Sequence, residues 1–339
     1  MPSKNRECNW CQKQDDLKTC QQCILVDYCC KECQVLDWKG GHKILCAKVP
    51  REVKKAEEKI RSFRLSSYTT KNAGTFMVTE AQAQRGQIVE EEEAQTMCYD
   101  AMEMEEGSQE KLLEVLDALS YFPLSTEAWG MLGHFYFWGV LKIRTKECST
   151  EALKMHDNAI VCARKLNPTW SDDRKEELQN DIEHRPYLRS LCGRAFALKG
   201  VGKTRDAIIQ GKKLLRINPR DGQGIRKYLC SWYLEMGDTE GPTNLLRRFG
   251  TSCSAPMAYH DVLLQFLLWE KDDTVENDVK KALYVAMKEN TFVPDLVLAN
   301  DEIEMDEDSS ALGSIEEGKV YARDFGRIWQ MCIQRLYHG

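Results

Sequence analysis

Residues 8–46 read CNWCQKQDDLKTCQQCILVDYCCKECQVLDWKGGHKILC. Four ligand pairs stand out: Cys8-x2-Cys11, Cys20-x2-Cys23, Cys29-x3-Cys33 and His42-x3-Cys46. A two-residue gap suits a tight knuckle that turns two sulfurs toward one ion. A three-residue gap puts ligands at i and i+4, on one face of a helix. Eight ligands satisfy two tetrahedral zinc ions with no position left for water, so two structural Zn2+ are expected. About 40 residues do not fold on a hydrophobic core alone. Metal binding would supply the folding energy, on the order of 10 kcal/mol or more per structural site.

The chain holds 15 cysteines. Eight fall in the first 46 residues, and no secretory leader opens the sequence, so the clustering points to metal rather than disulfides. Cys98, Cys148, Cys162, Cys192, Cys230, Cys253 and Cys332 are scattered and read as half-buried thiols.

The run Tyr28-Cys29-Cys30-Lys31-Glu32-Cys33-Gln34, followed by Asp37-Trp38 and His42, resembles the MYND signature. That resemblance implies interleaved sites: Cys8, Cys11, Cys29 and Cys33 on the first ion, Cys20, Cys23, His42 and Cys46 on the second. Cys30 stands where the family often has Ser and is read as a non-ligand. Lys39-Gly40-Gly41 is one residue longer than the commonest spacing, which implies a small change in the helix turn there. MYND-like modules bind short proline-containing peptides in a shallow groove, and Gln34 and Trp38 match positions that line it. Trp38 also fits packing inside the finger. Protein or peptide partners are therefore expected.

Beyond the finger the chain reads as mostly α. Residues 51–64 look like a polar helix, 65–85 like a polar linker, and Glu90–Glu93 like the opening of the next helix. Helical candidates then recur, with stops at Pro123, Pro168 and Pro219. The best repeat runs from Leu188 to Pro219. Leu188, Leu191, Cys192, Ala195 and Leu198 share a face, Gly200–Lys203 turns the chain, and Ala207, Leu214 and Leu215 face back. This spacing resembles a tetratricopeptide repeat. Residues 92–123, 126–168 (with an insertion around 139–150) and 222–250 read as weaker copies. The expected organisation is a finger at 1–50, helix and linker at 51–91, tetratricopeptide-like repeats forming a solenoid at 92–250, and a helical cap at 251–339.

The strings His184–Arg189 and Asn218–Arg226, with Asn290–Leu298 and Gly313–Trp329, are similar to the suppressor-of-tumorigenicity-seven-like family and its tetratricopeptide relatives over about residues 92–336. The resemblance implies a helical-repeat fold; that family offers no established catalytic chemistry, so the likeness bears on fold more than on function. Tyr259–Trp269 reads as a buried helix, and Val275, Val279, Leu283, Ala286 and Met287 as the stripe of the next, ended at Val293-Pro294. The run 301–308, six acids in eight residues, reads as a solvated loop or a contact for the basic finger. Residues 314–336 close the chain as a last helix.

A net charge of −6 gives no reason to expect nucleic acid, and no apolar run is long enough to cross a membrane. A cytoplasmic or nuclear address is expected. The SET, prolyl hydroxylase and P-loop signatures are absent: none of His42, His134, His156, His184 and His260 has Asp two residues on, and Gly200–Lys203 is too short for a phosphate loop. The sequence reads as a non-catalytic adaptor with two docking surfaces. The alternatives are an enzyme whose site lies near Arg185, Tyr187 and Arg226, or a nuclear co-regulator.

Overall fold

The computed structural model describes residues 8–13, 16–22, 26–62, 81–105, 108–138, 146–167, 184–251, 255–269, 276–299 and 311–338. Cys23, Cys253, Pro168, Val275 and the acidic run 301–308 lie outside these residues. So do most of the expected linker and the centre of the expected insertion.

The finger begins with a tight turn, Gln12 N–H donating to Cys8 O at 2.9 Å, with Gln12 in the left-handed region at φ 61°. Strands β1 (Lys18–Thr19) and β2 (Asp27–Tyr28) pair antiparallel, Lys18 opposite Tyr28. Helix α1 (Lys31–Asp37) follows, then a π-helical turn over Trp38–His42, then α2 (Lys43–Ser62). A π turn takes one residue more than an α turn. The backbone kinks there at Gly41, whose φ of 137° L side chains rarely adopt, and this kink lies within the stretch that carries the extra residue between Trp38 and His42.

Helix α2 follows directly on His42, carries Cys46 in its first turn and buries Val49 and Ala56 further along. It packs on α4 (Gln109–Tyr121), where Lys48 Nζ pairs with Asp117 Oδ1 at 2.8 Å. The buried sulfurs of the finger and the buried hydrocarbon of the following helices form one continuous core.

Helix α3 runs Ala81–Glu103. It starts before the expected Glu90, so residues 81–85 are helix and not linker. Their Ala, Gln and Arg are good helix formers, and propensity outweighs the polar composition. Next come α5 (Thr126–Trp138), α6 (Lys146–Leu166), α7 (Arg185–Gly200) and α8 (Thr204–Ile217). α6 begins inside the expected 139–150 insertion. Ser108 Oγ caps α4 by accepting from Lys111 N–H at 3.2 Å, and Ser125 Oγ caps α5 by accepting from Ala128 N–H at 3.2 Å. Trp129 is fully buried, and its indole N–H donates to Pro123 O at 2.8 Å, tying α5 to the turn before it.

Helices α5, α6 and α7 meet around one imidazole. His156 on α6 is buried between Gly133 and Gly193, and a Cβ on Gly193 would collide with its ring. Glu127 on α5, buried, pairs with Arg189 on α7. Arg194 on α7 donates to Asp157 on α6 at 2.6 Å and to Gln210 on α8 at 3.2 Å. Leu188, Leu191, Cys192, Ala195 and Leu198 are all buried, as are Ala207, Leu214 and Leu215.

The chain divides into two compact units, residues 3–223 and 224–339. The boundary falls at 223/224 rather than the expected 250/251. Helices α9 (Ile225–Glu235) and α10 (Glu240–Phe249) pack on α11 (Ala255–Trp269), and α9 also on α14 (Ile315–His338), so they belong to the C-terminal unit. Its core gathers Tyr259, Tyr321 and Phe325. Tyr259 OH donates to Asn290 O at 2.6 Å, and Asn290 Nδ2 donates to Ser314 O at 2.8 Å. Helix α12 (Glu276–Glu289) keeps Ala286 of the expected stripe and otherwise differs from it: it buries Ala282 with Ala286 against α11 and leaves Leu283 and Met287 exposed. Small residues let two helices approach closely, so the larger apolar side chains fall outside the contact. Pro294 does not end a helix but opens α13 (Val293–Leu298), where its missing N–H costs nothing.

Candidate metal centre

Two groups of side chains converge in the finger. Cys8 and Cys11 come from the first turn, Cys29 follows β2, and Cys33 sits on α1. Their four sulfurs all lie within 4.8 Å of one another. Cys20 follows β1, and His42 and Cys46 come from the π turn and α2. Their ligand atoms also lie within 4.8 Å of one another. The eighth expected ligand, Cys23, is outside the described residues. The two groups alternate along the chain, so the hairpin and the helices are stitched together by both.

The spacings fit zinc. Tetrahedral thiolates at a Zn–S distance of about 2.3 Å lie about 3.8 Å apart. Cys29 and Cys33 sulfurs are 3.7 Å apart, Cys20 and Cys46 also 3.7 Å, and Cys11 and Cys29 3.4 Å. None of the described cysteines forms a disulfide.

The electrostatics fit as well. Burial pushes the Cys8 thiol up, but backbone N–H groups of Cys11, Cys29 and Trp10 outweigh it and hold the group at about 6, a thiolate at neutral pH. Cys29 is pushed up to about 12, first by the Cys11 thiol and then by burial. Cys33 is pushed up, first by the Cys30 thiol and then by burial. Thiols this close resist losing several protons unless a cation balances the charge, which a divalent metal does. Burial lowers His42 against the opposing pull of Asp37, which keeps the imidazole in the neutral form that ligates metal.

Asp37 braces the module. It accepts from Tyr28 OH at 2.5 Å and from Asn9 Nδ2 at 2.8 Å. Cys30 is not part of either group. It is exposed and caps α1, its sulfur accepting from Cys33 N–H at 3.5 Å, the task of Ser or Thr at such a position.

Gln34 is exposed, and Trp38 follows it by one helical turn, so the two lie on one side of the finger. Trp38 is half-buried, its ring packed edge-on against His42 at 5.9 Å between centroids. It thus touches the second ligand group while keeping a free edge. Trp10, Val35 and Leu36 are also exposed apolar side chains of the finger, and sequence reasoning did not single them out. Trp10 leans on Gly40, where a Cβ would stand 3.2 Å from the indole. An aromatic inside the first knuckle was the available signal.

The side chains named for a hidden enzyme site have these surroundings, each within its own unit. Tyr187 is buried, with its hydroxyl accepting from Arg164 at 3.5 Å. Arg185 is exposed. Arg226 belongs to the C-terminal unit and lies over the Phe249 ring, 5.1 Å from its centroid.

Comparison with known proteins reaches the same part of the chain. Residues 8–46 match the family model described as MYND finger. Ubiquitin carboxyl-terminal hydrolase 19 of Arabidopsis thaliana is 46% identical over 46 residues, 14% of this chain and 7% of that protein, so the likeness spans a small fraction of the relative's length. No solved structure matches. The likeness of residues 92–336 to the suppressor-of-tumorigenicity-seven-like family has no counterpart in these comparisons. Residues 8–46 thus carry a zinc-binding finger of MYND type, a protein-interaction module, at the head of a helical chain.

Proposed function

We propose that this chain is a non-catalytic adaptor whose finger holds two structural zinc ions and captures a short proline-containing peptide. Cys8, Cys11, Cys29 and Cys33 hold the first ion. Cys20, His42 and Cys46 hold the second, with Cys23 as fourth ligand. Full sets of protein ligands leave no coordination position for a reacting water, so the metal supplies rigidity and not Lewis-acid chemistry.

The observation that carries the peptide reading is the pairing of exposed Gln34 with half-exposed Trp38. Trp38 rests on a ligand imidazole, so its rotamer is already set before a partner arrives. A Trp face is a good anchor for a proline ring, and an exposed amide beside it can bond the peptide backbone. The helical region supplies the second docking surface in this reading. Consecutive helices α5, α6, α7 and α8 pack on one another, which supports a tetratricopeptide-like solenoid. Two sites on one chain raise avidity without new contacts. The chain works in the cytoplasm or nucleus, where thiols stay reduced.

The test is selection of a proline-rich peptide library on the zinc-loaded chain and on a Gln34→Ala/Trp38→Ala variant. The account expects a defined peptide class that the variant fails to retain while its zinc content is unchanged. Equal recovery on both proteins contradicts the groove.

A further inference from the structure

A fifth sulfur stands beside the first ligand group. Cys30 Sγ lies 3.9 Å from Cys29 Sγ and 3.5 Å from Cys33 N. Cys30 is exposed, whereas Cys8 and Cys33 are buried. Cys30-Lys31-Glu32-Cys33 is also a C-x2-C pair, with the first thiol open to solvent and the second inside the metal group.

We propose that Cys30 is an oxidation site through which a peroxide ejects the first zinc ion. This rests on the zinc reading given above. In the first step hydrogen peroxide oxidises the exposed thiol: Cys30–SH and H2O2 give Cys30–SOH and water. In the second, the Cys33 thiolate attacks the sulfenic sulfur. The Cys30–Cys33 disulfide forms, hydroxide leaves and takes a proton to become water, and the zinc loses one of its four ligands. The two thiols together give up two electrons, and the peroxide takes them.

Geometry selects Cys33 over Cys29 as the partner. Disulfides bridge Cα atoms about 4.4–6.8 Å apart. Neighbouring residues hold their Cα atoms about 3.8 Å apart, too close for an unstrained bridge. Cys30 and Cys33 are separated by the first turn of α1, and their sulfur and amide already touch. A serine in place of Cys30 would keep the cap and lose the reaction. Thiol reductant and zinc would restore the finger, so the device is reversible.

The experiment uses the full zinc-loaded chain, hydrogen peroxide and a zinc-binding chromophore, with peptide mapping of the products. The wild type should release zinc and yield a Cys30–Cys33 linkage. Cys30→Ser should hold the same zinc at rest and release it at least about tenfold more slowly. Equal release rates, or a linkage confined to Cys11, Cys29 and Cys33, would overturn the proposal. Protein without zinc before any peroxide is added would refute the zinc reading itself, and this inference with it.

Discussion

The finger and helices α5–α7 are both well buried, but by different means. Inside the finger the buried groups are largely the thiols and imidazole of the two metal-competent groups: Cys8, Cys20, Cys33, His42 and Cys46, with Val26 and Tyr28 the main hydrocarbon. Around α5–α7 the buried groups are Trp129, Leu132, Met155, Leu188 and Leu191, and the buried His156 is clasped by two glycines. In the proposed reading the finger is held by attraction to an ion, and without one its crowded thiols resist further deprotonation. The helices are held by area removed from water. α2 belongs to both, with Cys46 in its first turn and Val49 and Ala56 beyond. The lesson is that one continuous core can have two sources of stability, and each should fail under its own perturbation.

Metal removal should separate them most sharply. A strong chelator, or Cys20→Ser, removes a contribution on the order of 10 kcal/mol per site. Near-UV circular dichroism should lose the finger's signal while most far-UV helix signal remains. Loss of all helix signal would mean the two regions do not differ as described. The converse change is Trp129→Ala, which empties the core of α5 and leaves Pro123 O without its indole donor. It should cost about 3–5 kcal/mol in urea unfolding with zinc content unchanged.

Acid sharpens the comparison further. Burial, with His134 adding to it, holds His156 down at about 3, and burial, with Lys227, does the same for His260. The unfolded chain takes up these protons near the ordinary value of 6.5, while the folded chain stays neutral. Their contribution is therefore present above about pH 6.5 and is lost as pH falls toward 3, by about 1.4 kcal/mol per unit for each histidine. His156→Gln should flatten the fall in urea midpoint between about pH 7 and 5; an unchanged slope would show that His156 does not titrate on unfolding. The smallest effect belongs to the junction. Lys48→Ala removes a partly exposed ion pair with Asp117 and should cost less than about 1 kcal/mol, because solvent screens the pair and Val49 still packs. A larger loss in calorimetry would make the pair, not burial, the fastening of finger to helices.

Sequence and structure agree most closely where chemistry demands a spacing. Gaps of two and three leave few foldings, and Cys8, Cys11, Cys29 and Cys33 on one side, with Cys20, His42 and Cys46 on the other, form two groups that could hold a metal ion. The added residue at 39–41 was visible as a departure, and the structure kinks within that stretch at Gly41. The buried helix positions Leu188, Ala195 and Ala207 were legible from helical periodicity. Other features depend on neighbours far along the chain. The stripe through Leu283 and Met287 misleads because α12 packs through alanines, a choice made by the close approach of α11. The start of α3 was hidden by polar residues that favour helix without displaying an apolar face. The unit boundary at 223/224 reflects which helices α9 and α10 pack against, which no local pattern records. Cys30 illustrates the limit within the finger: the MYND resemblance marks it as surplus, and only the structure places its sulfur against Cys29 Sγ and Cys33 N.

The most direct test of the account is a count of zinc in the purified full chain by native mass spectrometry. The account predicts two zinc ions per chain, both removed by a chelator and both restored on adding zinc. One ion, or none, would contradict the interleaved pair of sites on which the proposed adaptor rests.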